Sequence, residues 1–142
     1  KYLETVKKAE NAGYMQYHGE QKDMLPYYQM AHCVVHPSYY PEGMSNVLLE
    51  AAASGRPVIA TDRSGCRETV DEGKTGYLIP IRDEDALVQA LEDFLNLTWK
   101  ERAELGRAGR LKMEHEFDRQ IVVQKYLDTL RDYQASLCEV RR

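Results

Sequence analysis

The chain has 142 residues, a formal net charge of −4 and 43% hydrophobic residues. That length suits one domain with a core of its own, and the acidic balance argues against a nucleic-acid partner. Cys33, Cys66 and Cys138 form no C-x-x-C pair, so neither a disulfide framework nor a zinc site is indicated and a reducing cytosol fits, while no apolar run approaches a membrane span and no signal peptide is visible.

Leu3, Val6, Lys7 and Glu10 recur at helical spacing and predict a helix over residues 1–12, ended by Gly13. Residues 14–18 read as a short strand that stops at Gly19. Asp23 is the expected N-cap of a helix over 24–31, with Pro26 tolerated in its first turn. Residues 33–36 are the second strand, halted by Pro37, which cannot donate to a ladder. Ser45 stands at the N-cap of a helix that runs to Ser54. Leu48 holds the third helical position, so no capping box forms. Gly55 closes that helix, with Pro57 beyond it.

Residues 58–61 are the next strand, 66–72 a short helix and 77–79 the last strand. Asp83 or Glu84 opens a helix with Leu87, Leu91, Phe94 and Leu95 on its apolar side. Residues 99–117 and 118–137 are two further helices. The basic residues from Lys100 to Lys112, interleaved with Glu101 and Glu104, read as a solvated helix face. On the last helix Val122, Tyr126, Leu130, Tyr133 and Leu137 form one stripe.

Strand and helix thus alternate four times, the pattern of a parallel sheet covered on both faces. The expected fold is α/β: a Rossmann-like domain over residues 1–117, then a C-terminal amphipathic helix over 118–142. Ligands of such sheets bind outside the carboxyl ends of the strands. The loops 19–22, 37–45 and 62–66 all fall at that edge.

The loop 37–45 feeds a helix N-terminus, where free N–H groups and the dipole favour an anion such as phosphate. Gly43, with no side chain, lets backbone approach a ligand. Glu42 precedes the helix and Glu50 lies inside it, four residues after Asn46 and on the same face. A carboxylate among Leu48, Leu49, Ala51, Ala52 and Ala53 is costly to bury without a donor, and a vicinal diol supplies two. Blander readings stand beside these. Glu50 could pair with a nearby cation, Glu42 could complement the dipole, and Ser45 could be a cap alone. Gly65 could be a turn glycine, and Arg67 and Glu68 local charges. His36 and Cys66 are read as structural.

The run from Glu42 to Ala51 resembles the E-x7-E signature of retaining GT-B glycosyltransferases of family 4. The resemblance continues through Gly55-Arg56-Pro57-Val58-Ile59-Ala60-Thr61-Asp62, Gly65-Cys66-Arg67-Glu68 and Gly76-Tyr77-Leu78-Ile79-Pro80. The Gly-Cys-Arg-Glu version is similar to enzymes of bacterial surface polysaccharides. The resemblance implies that Glu42 stands near the reacting sugar as the catalytic residue. It implies that Glu50 holds the ribose hydroxyls, and that Gly43, Met44, Ser45 and Asn46, with Gly19, contact the nucleotide sugar. The donor is expected to be a UDP-sugar, with no metal and no further cofactor. The acceptor is expected to be a glycan or a polyprenyl-diphosphate-linked oligosaccharide, bound through an amino-terminal domain these residues lack, at the inner membrane face. The first two strands of the nucleotide domain, and the Arg and Lys that grip the diphosphate in relatives, are missing as well. The residues are therefore expected to be inactive alone, with open sheet edges that invite self-association. A GT-B epimerase or phosphorylase, and a non-catalytic nucleotide-binding module, are the alternatives.

Overall fold

The computed structural model describes residues 2–41 and 43–140. In chain order the elements are α1 (Tyr2–Asn11), α2 (Leu25–Met30), β1 (Val34–His36), α3 (Asn46–Ala53), β2 (Val58–Thr61), a 3-10 turn (Arg67–Thr69), β3 (Gly76–Ile79), α4 (Glu84–Asn96), α5 (Trp99–Glu116) and α6 (Arg119–Val140). The strands form one parallel sheet in the order β1-β2-β3. Val34 pairs with Val58, and Val58 with Gly76.

All four residues of β2 are buried, as befits a strand covered on both faces. Val58 and Ala60 face Leu48 and Ala51 of α3, with Tyr28, Cys66 and Val70 beside them. Ile59 faces the other way, onto Ile79, Ala90 and Phe94. The result is three layers, with α3 on one face of the sheet and α4 on the other. Two glycines permit close approaches. A Cβ on Gly76 would lie 1.9 Å from the Val58 carbonyl oxygen, and one on Gly106 would lie 2.1 Å from that of Gly55. The second contact presses α5 onto the turn that ends α3.

Several expectations change. Residues 14–18 form no strand, so the sheet has three strands, not four. Strand geometry needs a neighbour for its N–H and C=O groups. Here Tyr14 is 80% and Tyr17 57% exposed, and the Tyr17 N–H turns instead to Glu10 Oε1 at 2.8 Å. Residues 14–18 therefore do not pair with β1, and β1 and β3 are the sheet's edges. Asp23 lies one residue before the cap position, which Met24 holds, and accepts from the Leu25 N–H at 3.0 Å. The expected helix over 66–72 shrinks to the single turn Arg67–Thr69, and the chain then extends, with Glu72 bridging to Gly76. Leu95 is exposed rather than packed.

The basic stretch of α5 is not a plain solvated face. Arg102 donates to the Leu95 carbonyl at 2.7 Å and Arg110 to that of Ala53 at 2.5 Å. Lys112 bonds Asp71 at 2.8 Å and Glu116 at 3.0 Å. These cations tie α5 to the ends of α3 and α4 and to the loop before β3. On α6, Val122, Tyr126, Leu130 and Tyr133 do share a stripe, and all four are exposed; the side chain of Leu137 lies outside the described residues.

Candidate functional site

β1 ends at His36, and the loop after it is anchored from three directions. Thr61 Oγ1 donates to the Ser38 carbonyl at 2.5 Å. Arg63 donates to the Tyr40 carbonyl. Tyr39 stacks on Tyr40 with centroids 4.3 Å apart, and the Arg82 guanidinium lies 4.7 Å from the Tyr39 ring centroid. The anchored loop delivers the chain to Ser45, where α3 begins. Ser45 occupies the N-cap position, yet its side chain makes no capping bond. It is buried, and its N–H donates to the Gly65 carbonyl at 2.9 Å. That N–H is spent on the fold, a use the sequence did not reveal. The first N–H bonded into α3 is that of Leu49, to Ser45 O at 3.1 Å. The N–H groups of Asn46, Val47 and Leu48 thus precede the helix's own bonding and carry the positive end of its dipole.

Glu50 lies one turn further along α3. Leu48, Ala51 and Ala52 take the buried face, and Glu50 is exposed, so the expected cost of burying it does not arise. Its donor is a phenol. Tyr28 Oη donates to Glu50 Oε2 at 3.0 Å. Burial of Tyr28 pushes its pKa up to about 12, and the hydrogen bond to Glu50 and that group's negative charge add to the shift. The pair lines a pocket of about 450 Å3, together with Lys22, Asp23, Ala53 and Arg110. Arg110 is oriented there by Glu114, at 2.6 Å from its Nε.

Of the described residues expected at the site, Glu50 alone lines this pocket. Gly43, Met44 and Asn46 are exposed at the amino end of α3. Gly19 has φ +65 and opens the loop that leads to Lys22, with nothing within 4 Å of where a Cβ would stand. Glu42 lies outside the described residues. Glu68 accepts from the Gly65 N–H at 2.8 Å, and Arg67 pairs with Asp62 at 3.0 Å, so both act locally. Tyr28 and Arg110 were not expected here, and Lys22 only as part of the loop 19–22 at this edge. Only the helical phase of α2, which turns Tyr28 inward, could have marked the first; Arg110 was hidden in a stretch that reads as surface.

A parallel sheet with helices on both faces, and a helix N-terminus at its carboxyl edge, is the architecture of a Rossmann-like half of a GT-B enzyme. The chain belongs to the family described as glycosyl transferases group 1, whose signature matches residues 1–96. It is 41% identical over 81 residues to the putative colanic acid biosynthesis glycosyltransferase WcaL of Escherichia coli K12, an overlap of 57% of this chain and 20% of that protein. It superposes on sucrose-phosphate synthase from Thermosynechococcus elongatus with a TM-score of 0.80 at 31% identity, over 94% of this chain and 34% of that one. It shares the fold of Anabaena HepE, solved in complex with UDP, with a TM-score of 0.81 at 22% identity, over 92% of this chain and 36% of that one. The chain thus spans about a fifth of WcaL's length. Among the described residues no helix is long and apolar enough to cross a membrane.

Proposed function

We propose that these residues form the donor-binding part of a retaining glycosyltransferase. The enzyme moves a sugar from a nucleotide diphosphate sugar, UDP-linked, to a glycan or lipid-linked oligosaccharide. The observation that carries this reading is Glu50. Its carboxylate is held at one oxygen by Tyr28 and stands in a pocket of about 450 Å3. A ribose diol offers two donors to such a group. From Glu50 back to Asn46 is about 6 Å along the helix axis, which suits a diphosphate at the free N–H groups with the ribose at the carboxylate. The base then lies toward Lys22 and Asp23.

HepE, solved with UDP, supports the nucleotide, and the colanic acid biosynthesis named for WcaL supports the acceptor class. Glu42 is assigned to the reacting sugar by its place in E-x7-E. The outer edge of β1 is where another strand would add, from a second copy or from the rest of a longer chain.

Calorimetric titration with UDP, GDP and ADP tests the donor assignment. UDP is expected to bind best. Glu50→Ala is expected to weaken it roughly ten- to 150-fold, the loss of one hydrogen bond to a charged group. Equal affinity in the variant removes the ribose assignment.

A further inference from the structure

Among the described residues, two buried side-chain nitrogens have no hydrogen-bond partner, Arg56 Nε and Arg102 Nε. Both residues line the same pocket, of about 350 Å3, with His32, Pro57 and Trp99. It lies at the amino-terminal edge of the sheet, just before β1 and β2 begin, opposite the edge that carries the motif loop. Buried donors without partners are rare in native proteins and ask for an explanation, an ion among them. Arginine cannot relieve the cost by losing its proton.

The fold holds these two cations together. Gly106 follows Arg102 by one turn of α5 and abuts the Gly55 carbonyl and Pro57. Arg102 therefore cannot retreat from the turn that carries Arg56. Part of its guanidinium is already engaged: it donates to the Leu95 carbonyl and lies 5.1 Å from the Phe94 ring centroid. No side-chain bond or ion pair of Arg56 is found among the described residues. Among the described residues no carboxylate lines the pocket. The nearest in sequence, Glu101, is turned to the Thr98 N–H and Oγ1, both at 2.7 Å.

We propose that Arg56 and Arg102 form a binding site for a phosphate-class oxyanion, held by the guanidinium groups that both turn to this pocket. The guanidinium fork matches two oxygens of such an ion, and charge-assisted bonds of this kind are the strong ones. The site is independent of the donor pocket and of the function proposed for it.

Trp99 is the single tryptophan of the chain, 83% exposed and at the pocket's rim. Its fluorescence therefore reports occupancy in the intact 142-residue protein. Inorganic phosphate and phenyl phosphate are titrated separately, against sodium chloride at matched ionic strength, which removes simple screening. A saturable change with inorganic phosphate assigns the site to the free ion. Saturation with phenyl phosphate alone assigns it to a phosphate group on a larger ligand. In Arg56→Gln the apparent Kd should rise by at least about tenfold, with an unchanged circular dichroism spectrum. Should that variant not fold, Arg56→Lys keeps the charge and loses the fork. In the wild-type protein the ligand should also raise Tm above the chloride control. No saturation with either ligand overturns the proposal, and so does an equal response in a folded Arg56 variant.

Discussion

Two stretches predicted as strands meet opposite fates. Residues 58–61 and residues 14–18 both read as strands. The first is buried at every position, paired on one side by β1 and on the other by β3. The second is irregular and open to solvent. The difference is one of company as well as composition. A strand segment gains from its pattern only where a neighbour takes its N–H and C=O groups and a helix covers its side chains. The stripe on α6 teaches the same lesson for helices. Its spacing is correct, yet Tyr126 and Tyr133 remain 70% and 62% exposed.

That contrast can be broken by mutation. Leu48 is fully buried between α3 and the sheet, and Leu48→Ala should destabilise by about 2–5 kcal/mol in urea unfolding. Gly76→Ala should cost about 1–3 kcal/mol, because the new Cβ meets the Val58 carbonyl at 1.9 Å and the strands must separate. Tyr17→Ala should change stability by no more than about 0.5 kcal/mol. A loss at Tyr17 as large as that at Leu48 would mean that residues 14–18 are packed in solution and that the contrast is false.

A smaller effect sharpens the contrast at the site itself. Tyr28 is buried and donates to Glu50, so its phenol should ionise at about 12. The raised value means that the folded chain keeps a proton the unfolded chain has lost. Its contribution to stability is complete below the ordinary tyrosine pKa of about 10 and disappears as pH rises toward 12. Absorbance at the phenolate band should include a late transition that is lost in Tyr28→Phe. In Glu50→Gln that transition should move down only in part, because burial is the larger cause.

Much of the fold was legible in the sequence. The prolines and glycines punctuate it: Pro37 stops β1, and Gly55, with φ +69, ends α3. The α3–β2 segment was read within a residue of its observed bounds because helix, turn and strand signals agree there. What was not legible depended on partners distant in the chain. The Ser45 N–H goes to Gly65, twenty residues on, so a residue chosen as a cap serves the next loop instead. The expected burial of Glu50 failed because α3 turns that position away from Leu48 and toward α2. The phase of α2 turns Tyr28 inward, but its bond to Glu50 forms only once α2 and α3 are packed. Arg110 and Lys112 looked like surface charge until α5 was laid against α3 and the loop at Asp71.

The proposed site lays a nucleotide diphosphate along α3 between its amino end and Glu50. Amide chemical-shift mapping of the uniformly labelled chain, titrated with UDP, tests it most directly and reads even weak binding. The amides of Lys22–Leu25, Tyr28 and Asn46–Glu50 are expected to shift as one contiguous set, with α6 unmoved. Shifts absent from α3, or confined to the pocket around Arg56 and Trp99, would contradict it.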